Sequence, residues 1–237
     1  MRCWRGEPAL NTTILLFLLQ DGITNGAVYA LLGLAMVLVF AVTRVILIPQ
    51  GEFVAYGALT YATLATGQAP GTAMLAVAMG LVAFAFDLFA ARKAFRVKTI
   101  VRAVAVNIAF PVVVLGLTWG LAGRANTIPV NIALSLLIVA AIGLFLYRIA
   151  FQPIAHTSVL VLLIASVGAH LALEGFGLIF FGAEGLRGPA ISNAMITIGQ
   201  LQITGQSLAV YGITIALMVA LWLFFDFTLY GKALRAT

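Results

Sequence analysis

The chain has 237 residues, of which 63% are hydrophobic and only 8% are charged. Soluble domains usually carry about a quarter charged residues, so this composition excludes a water-soluble fold. The net charge of +6 does not indicate nucleic-acid binding, because the basic residues lie in short turns between apolar stretches. Cys3 is the only cysteine, which excludes an intramolecular disulfide and a cysteine metal cluster.

The apolar stretches have the length of membrane-spanning helices. A helix needs roughly 20 apolar residues to cross the hydrocarbon core, and these stretches are continuous rather than alternating as in barrel strands. The sequence therefore predicts an all-α, polytopic transmembrane helical bundle of about seven segments, forming one domain over residues 1–237. The predicted segments are 13–43, 45–66, 72–91, 99–122, 130–151, 157–181 and 207–229.

The first segment carries small residues at helical spacing. Gly22, Gly26, Tyr29 and Gly33 share one face, which is typical of close approach between membrane helices. Asn25 and Tyr29 lie four residues apart and are candidates for a substrate path. A purely structural packing seam is the alternative interpretation.

The second segment opens with a helix breaker, two polar residues and a glycine, in the run PQGE at 49–52. We expect a helix that is broken or only partly inserted and that lines a cavity. Gln50 and Glu52 are therefore candidates for the substrate path. Glu52 has an alternative role as a cap, since an acid near a helix amino terminus is favoured by the macrodipole.

The sixth segment has the most specific polar pattern. Ser166, His170, Glu174 and Gly177 share one helix face. Ionisable residues within a span are costly in hydrocarbon and often functional, so we predict that this face borders the transport path. The alternative is a clamp in which His170 and Glu174 bond to each other.

The sequence contains no motif for catalysis or cofactor binding. It lacks a nucleophile elbow, a phosphate-binding glycine loop, an HExxH motif and metal-ligand spacing. We therefore expect a non-catalytic subunit without a cofactor or metal, with any ATP hydrolysis in a separate subunit. Asp87 and Asp226 are interpreted as interfacial groups paired with Arg92 or Lys232.

The distribution of basic residues predicts the orientation in the membrane. With a cytoplasmic carboxyl end, nine of the thirteen Lys and Arg residues fall in cytoplasmic loops. This places the amino terminus outside and residue 237 inside. The segment from Gly182 to Gln206 is then external, where it either contacts an extracytoplasmic partner or caps the bundle.

Three stretches resemble the permeases of branched-chain amino-acid ABC transporters. They are NGAVYALLGLAM at 25–36 with RVI at 44–46 and GEF at 51–53; QPI at 152–154 through LLIASVG at 162–168 to FGAE at 181–184; and LYGKALRAT at 229–237. The family commonly has Asn-Phe-Ala-His-Gly-Glu-Phe where this chain has LIPQGEF at 47–53, so its usual Asn and His are absent. The stretch 92–124 looks like an insertion.

The resemblance implies a bacterial inner-membrane protein that pairs with a second permease subunit, cytoplasmic ATP-binding subunits and an extracytoplasmic substrate-binding protein. The substrates would be branched-chain amino acids or, as in related permeases, urea or short amides. Gly231, Lys232 and Arg235 would begin the loop that docks on the ATPase; positive-inside anchoring is their alternative role.

Two further expectations concern the chain as a whole. Family members continue beyond the segment that ends here at Thr237, so we expect a truncated permease that does not couple ATP hydrolysis to transport. A proton-coupled secondary transporter, with Glu52, His170 and Glu174 as its relay, is the alternative from a different class.

Overall fold

The computed structural model describes residues 12–91, 101, 103–121, 127–190, 192, 194–198, 201–228 and 231. Within these ranges the chain forms seven α-helices and one short hairpin. They are α1 (Thr12–Thr43), α2 (Gln50–Ala65), α3 (Gly71–Ala91), α4 (Phe110–Leu121), α5 (Ile128–Leu146), α6 (Val159–Phe181), β1 (Met195–Ile198), β2 (Leu201–Thr204) and α7 (Gly205–Phe227). A π-helical turn, Ala105–Ala109, precedes α4, and a second, Tyr147–Phe151, extends α5.

The predicted fold class is confirmed: the protein is an all-α helical membrane bundle. Five of the described helical stretches are long and apolar enough to cross a membrane, and the stretch over Ala105–Leu121 is apolar but shorter. The five are Ile14–Thr43, Gly71–Phe89, Ile128–Ile154, Val159–Phe181 and Gly205–Phe227. The protein is therefore membrane-embedded.

The chain divides into two compact units. The terminal unit combines the residues up to Val42 with those from Ala190 onward, and the central unit covers Thr43–Pro189. The terminal unit thus contains α1, the hairpin and α7, and the central unit contains α2 to α6. The single domain predicted over the whole chain stays a prediction.

Helix α5 is the centre of the central unit. Ile138, Ile142 and Phe145 are fully buried along it, and α2 and α3 pack against it. Gly57 of α2 lies beside Val139, and Gly143 of α5 lies beside the ring of Phe53. Small residues allow membrane helices to approach closely, where van der Waals packing replaces the hydrophobic effect as the driving force. The central unit is held mainly by this packing.

The second predicted segment begins later than expected. Residues 44–49 are not helical, Arg44 has a φ of 56°, and α2 starts only at Gln50. A residue that precedes a proline disfavours the helical conformation, so Pro49 keeps residue 48 out of the helix. Pro49 itself is the N-cap residue of α2. The expected irregularity lies in this break, and α2 itself is a continuous helix of 16 residues.

The hairpin was not predicted from the sequence. Strands β1 and β2 pair antiparallel, with Met195 opposite Thr204 and Ile198 opposite Leu201. The N–H of Gly205 donates to the carbonyl oxygen of Ala194 at 2.7 Å, which closes the hairpin against the start of α7. Part of the external segment predicted between residues 182 and 206 is therefore an ordered strand pair.

Helices α1 and α7 of the terminal unit meet through polar groups rather than through a shared core. The hydroxyl oxygens of Thr24 and Tyr211 lie 2.7 Å apart, while α1 buries 0% of its most apolar stretch. A side chain added at Gly22, Gly26 or Gly33 would meet no described atom within 4 Å. The small-residue face predicted on α1 is open within the described part of the chain.

Candidate functional site

A ladder of three polar contacts joins the start of α2 to α6. The rungs are Ile48 N–H donating to Ser166 Oγ at 2.9 Å, Glu52 Oε1 lying 2.9 Å from His170 Nδ1, and Tyr56 O–H donating to the Leu173 carbonyl oxygen at 2.5 Å. Successive rungs lie four residues apart from Ile48 to Tyr56 and three or four residues apart on α6, and both sets advance in the same chain direction, so α2 and α6 run parallel here. The polar face predicted on the sixth segment is therefore directed at α2.

The two ends of the ladder are deeply buried. Ser166 is fully buried, and Tyr56 and Leu173 are each 2% exposed. Satisfying polar groups against each other avoids the cost of leaving them unpaired in an apolar interior. These rungs hold α2 in register with α6.

The middle rung is the contact between Glu52 and His170, and it is less buried than the two ends. The side chains of Glu52 and His170 are 19% and 33% exposed. Their atoms approach to ion-pair distance without hydrogen-bond alignment, and Glu52 Oε2 is buried with no hydrogen-bond partner among the described residues. This rung therefore joins two ionisable side chains across α2 and α6.

The structure shows which groups these two side chains contact. Glu52 lies in the first turn of α2, yet no side chain caps that helix, and the Glu52 carboxylate reaches His170 instead. His170 in turn contacts Glu52 of α2, not Glu174 of its own helix. In place of the alternative clamp between His170 and Glu174, the described contact of His170 is thus with the carboxylate of a neighbouring helix, at 2.9 Å.

A cavity of about 270 Å³ lies beside the second and third rungs and is lined by Glu52, Tyr56 and Leu173. Its walls come from α2, from α6 and from residues 182–185, and they are mostly apolar. Its lining residues include three acids, Glu52, Glu174 and Glu184, and no Lys or Arg. Carboxylates accept hydrogen bonds only, so the cavity is suited to groups that donate N–H bonds.

The central unit thus brings together four of the predicted path residues: Glu52, Ser166, His170 and Glu174. Gln50, also predicted, is the half-buried first residue of α2.

The remaining predicted residues lie elsewhere. Asn25 and Tyr29 are on α1 in the terminal unit, where both are exposed. Gly231 is buried, and its N–H donates to Thr228 Oγ1 at 3.0 Å. Lys232 and Arg235, predicted with it to begin the ATPase-docking loop, lie outside the described residues, as does most of the basic part of the predicted insertion.

A second polar cluster was missed from the sequence. Asn107 donates through Nδ2 to Asp87 Oδ2 at 2.6 Å and accepts a hydrogen bond from Arg148, whose Nη1 lies 3.8 Å from Asp87 Oδ2. Asn107 is fully buried. Asp87 therefore pairs with residues of other helices, while Arg92, one of the interpreted partners, lies outside the described residues. An asparagine within an apolar span was the available signal for this cluster.

Both π-helical turns contribute to this cluster. Asn107 lies in the first and Arg148 in the second. A side chain at Gly80 of α3 would overlap the carbonyl oxygen of Asn107, so glycine permits the close approach of α3 to the first π turn. Isolated π turns often mark functional positions, and here they direct two polar side chains to one carboxylate.

The described residues contain no group of three or more His, Cys, Asp or Glu side chains that could hold a metal ion. Comparisons with protein-family models, curated proteins and solved structures find no match for this chain. The resemblance to the branched-chain permeases stays a prediction.

Proposed function

We propose that this chain is the permease subunit of an ABC importer, with the parallel pair α2 and α6 bordering its substrate path. The observation that carries this proposal is the set of contacts that joins Ser166 and His170 of α6 to Ile48 and Glu52, next to a cavity lined by Glu52 and Glu174, within a membrane-embedded protein. Ionisable groups are retained within membrane bundles chiefly where they serve transport or ion pathways. The sequence resemblance supplies the importer class.

The proposed assembly follows from the same resemblance. A second permease subunit would complete the channel, cytoplasmic ATP-binding subunits would supply energy, and an extracytoplasmic binding protein would deliver substrate. The location would be a bacterial inner membrane, with the amino terminus outside and residue 237 in the cytoplasm. Gly231, Lys232 and Arg235 would face the ATPase.

The proposed substrates are branched-chain amino acids, with urea or short amides as the alternative. The lining of the cavity bears on this choice. Its carboxylates can accept N–H bonds from an ammonium or an amide, but among its lining residues no Lys or Arg can receive a carboxylate. The described cavity thus favours the amide alternative within the same transporter class.

Equilibrium binding to the protein in lipid nanodiscs tests the path assignment. Radiolabelled leucine and urea are the two probes, and Glu174→Gln is the test variant, since it removes one charge that borders the cavity. Asp21→Asn is the matched control, because Asp21 is an exposed acid on α1. We expect at least one probe to bind and Glu174→Gln to weaken it while Asp21→Asn does not. Unchanged binding in Glu174→Gln would remove the main support for the path.

A proton-coupled transporter is the second candidate, and the Glu52–His170 contact favours it. A carboxylate and an imidazole 2.9 Å apart within a membrane bundle are suited to carrying a proton. Uptake into proteoliposomes distinguishes the two candidates. Uptake that follows a pH gradient without nucleotide, and that His170→Gln abolishes, would favour proton coupling. Uptake that requires the ATP-binding subunits and ATP would favour the importer.

A further inference from the structure

One wall of the cavity is a segment without regular secondary structure. Residues 182–189 follow α6 directly, and those from Gly182 to Gly185 line the cavity opposite α2. We call residues 182–189 the strap. All of its residues are exposed, in contrast to Tyr56 and Leu173 on the other walls.

The strap begins at a glycine in a conformation that other residues rarely adopt. Gly182 has φ 75° and ψ −174°, and its N–H donates to the Leu178 carbonyl oxygen at 2.9 Å, which ends α6. This backbone region is essentially restricted to glycine. The chain therefore changes direction at Gly182. A change in the backbone dihedral angles of Gly182 would change the direction in which the strap leaves α6.

The far end of the strap rests on α2. A Cβ at Gly188 would lie 3.1 Å from the ring of Tyr61, and the Tyr61 hydroxyl donates a long hydrogen bond, 3.5 Å, to the Pro189 carbonyl oxygen. A hydrogen bond of this length is weak, so ring packing contributes more than the hydroxyl. Tyr61 therefore holds the far end of the strap against α2, and we call this residue the latch.

Between these two ends the strap is lightly attached. Among the described residues, 183–187 form no hydrogen bond with α2 or α6. Segments with few buried contacts and an exposed backbone open at low free energy. Because residues 183–187 are attached to α2 and α6 only through the two ends of the strap, they can move away from the cavity without breaking a hydrogen bond within α2 or α6.

We propose that the strap is a gate over the cavity, hinged at Gly182 and latched on Tyr61, and that its release opens the cavity to the aqueous side. The proposal rests on the proposed function for its biological purpose, since it makes the strap the element that admits substrate to the path. The geometry of the gate itself does not depend on which substrate is carried.

A reversible cross-link tests the gate. A Cβ at residue 188 would lie 3.5 Å from the Cα of Ala62, within reach of a disulfide. In a Cys3→Ser background, Ala62→Cys with Gly188→Cys would fix the strap when oxidised and release it when reduced. Each single-cysteine variant is a matched control, because it carries one of the substitutions and cannot form the bridge.

The readout is chemical modification of Glu52 by a water-soluble carbodiimide, measured by mass spectrometry in nanodiscs. Glu52 borders the cavity and is only 19% exposed while the strap is seated. We expect modification of Glu52 to fall about threefold or more on oxidation and to recover on reduction, with Asp21 of α1 unchanged as internal reference. Equal modification in both states, or failure of the bridge to form, would overturn the gate.

Two substitutions of the latch separate ring packing from hydrogen bonding. Tyr61→Phe keeps the ring under Gly188 and removes only the long hydrogen bond, so modification of Glu52 should stay close to that of the parent. Tyr61→Ala removes the ring against which Gly188 packs and should raise the modification of Glu52 severalfold. If Tyr61→Phe raised the modification of Glu52 more than Tyr61→Ala, the assignment of Tyr61 as the latch would be wrong.

Binding of leucine and urea to the cross-linked protein keeps the two proposals distinguishable. Reversible protection of Glu52 without binding of either probe would retain the gate and remove the proposed transport function. Binding that persists unchanged while Glu52 stays equally reactive would retain transport and remove the gate.

Discussion

Ser166 shows how one small polar residue fixes an irregular segment in a membrane bundle. It is fully buried on α6, and its hydroxyl oxygen accepts the N–H of Ile48 in the break before α2. The same N–H also reaches the Ile46 carbonyl oxygen at 3.1 Å, so Ser166→Ala would not leave it without an acceptor. We expect Ser166→Ala to lower the free energy of unfolding by about 0.5–1.5 kcal/mol, the net value of one hydrogen bond.

Thermal unfolding in detergent measures this loss. About 1 kcal/mol corresponds to a fall of roughly 2–4 °C in the midpoint for a chain of this size. Thr157→Ala is the matched control, because Thr157 is exposed and its hydroxyl bonds only to the nearby Ile154 carbonyl oxygen. A midpoint for Ser166→Ala equal to that of Thr157→Ala would contradict the role of the first rung.

At the level of the elements, Asn107 ties three helical stretches together. It connects Asp87 near the end of α3 with Arg148 in the π turn that extends α5. Asn107→Leu keeps a similar volume but removes both hydrogen bonds, which leaves the carboxylate and guanidinium with only their 3.8 Å contact. The side chains of Asp87 and Arg148 are 43% and 28% exposed, so water can replace part of the lost pairing. We therefore expect a loss of stability of about 1 kcal/mol, near the net value of one hydrogen bond.

Asp87→Asn provides the comparison for this cluster. Its amide oxygen can still accept from Asn107, so its midpoint should fall less than that of Asn107→Leu in the same unfolding experiment. If Asp87→Asn were the more destabilising variant, the ion pair with Arg148 would dominate and Asn107 would be secondary.

The helices were largely predictable because long apolar runs specify membrane-spanning helices directly. The structure places α3 and α6 within two residues of the predicted segments 72–91 and 157–181. The start of α2 was placed too early, because the apolar residues of 45–48 resemble a helix while Pro49 prevents one. The two π turns leave no comparable pattern in the sequence.

The candidate site was predictable in part. The spacing of Ser166, His170 and Glu174 predicted one polar face on the sixth segment, which depends only on helical periodicity. The contact of His170 with Glu52 was not predictable, because it depends on which distant helix packs against that face. Tyr56 was missed for the same reason, although it follows Glu52 by one helical turn.

At the scale of the whole molecule, the first and last segments of the central unit each contact α2 or α6. The connection after Val42 continues into the break that Ser166 holds, and the connection before Ala190 is the strap that Tyr61 seats. The ladder and the latch therefore fix both ends of the central unit to α2 and α6. A substitution at either place would affect the segments through which the central unit is joined to the rest of the chain.

The predicted membrane orientation depends on whether the short apolar stretch before position 124 crosses the membrane. Ala105–Leu121 is a helix of 17 residues, about 25 Å long at 1.5 Å per residue, somewhat less than a typical hydrocarbon core of about 30 Å. Local thinning of the bilayer can accommodate this mismatch, so we expect the stretch to cross the membrane. Positions 98 and 124 flank it, and the excess of basic residues before it predicts that position 98 is cytoplasmic. In a Cys3→Ser background, Lys98→Cys should react with an impermeant maleimide only after the membrane is opened, whereas Arg124→Cys should react in intact cells. Reaction of both from the same side would mean that this helix enters and leaves by one face, and the predicted topology would then be wrong for every segment before it.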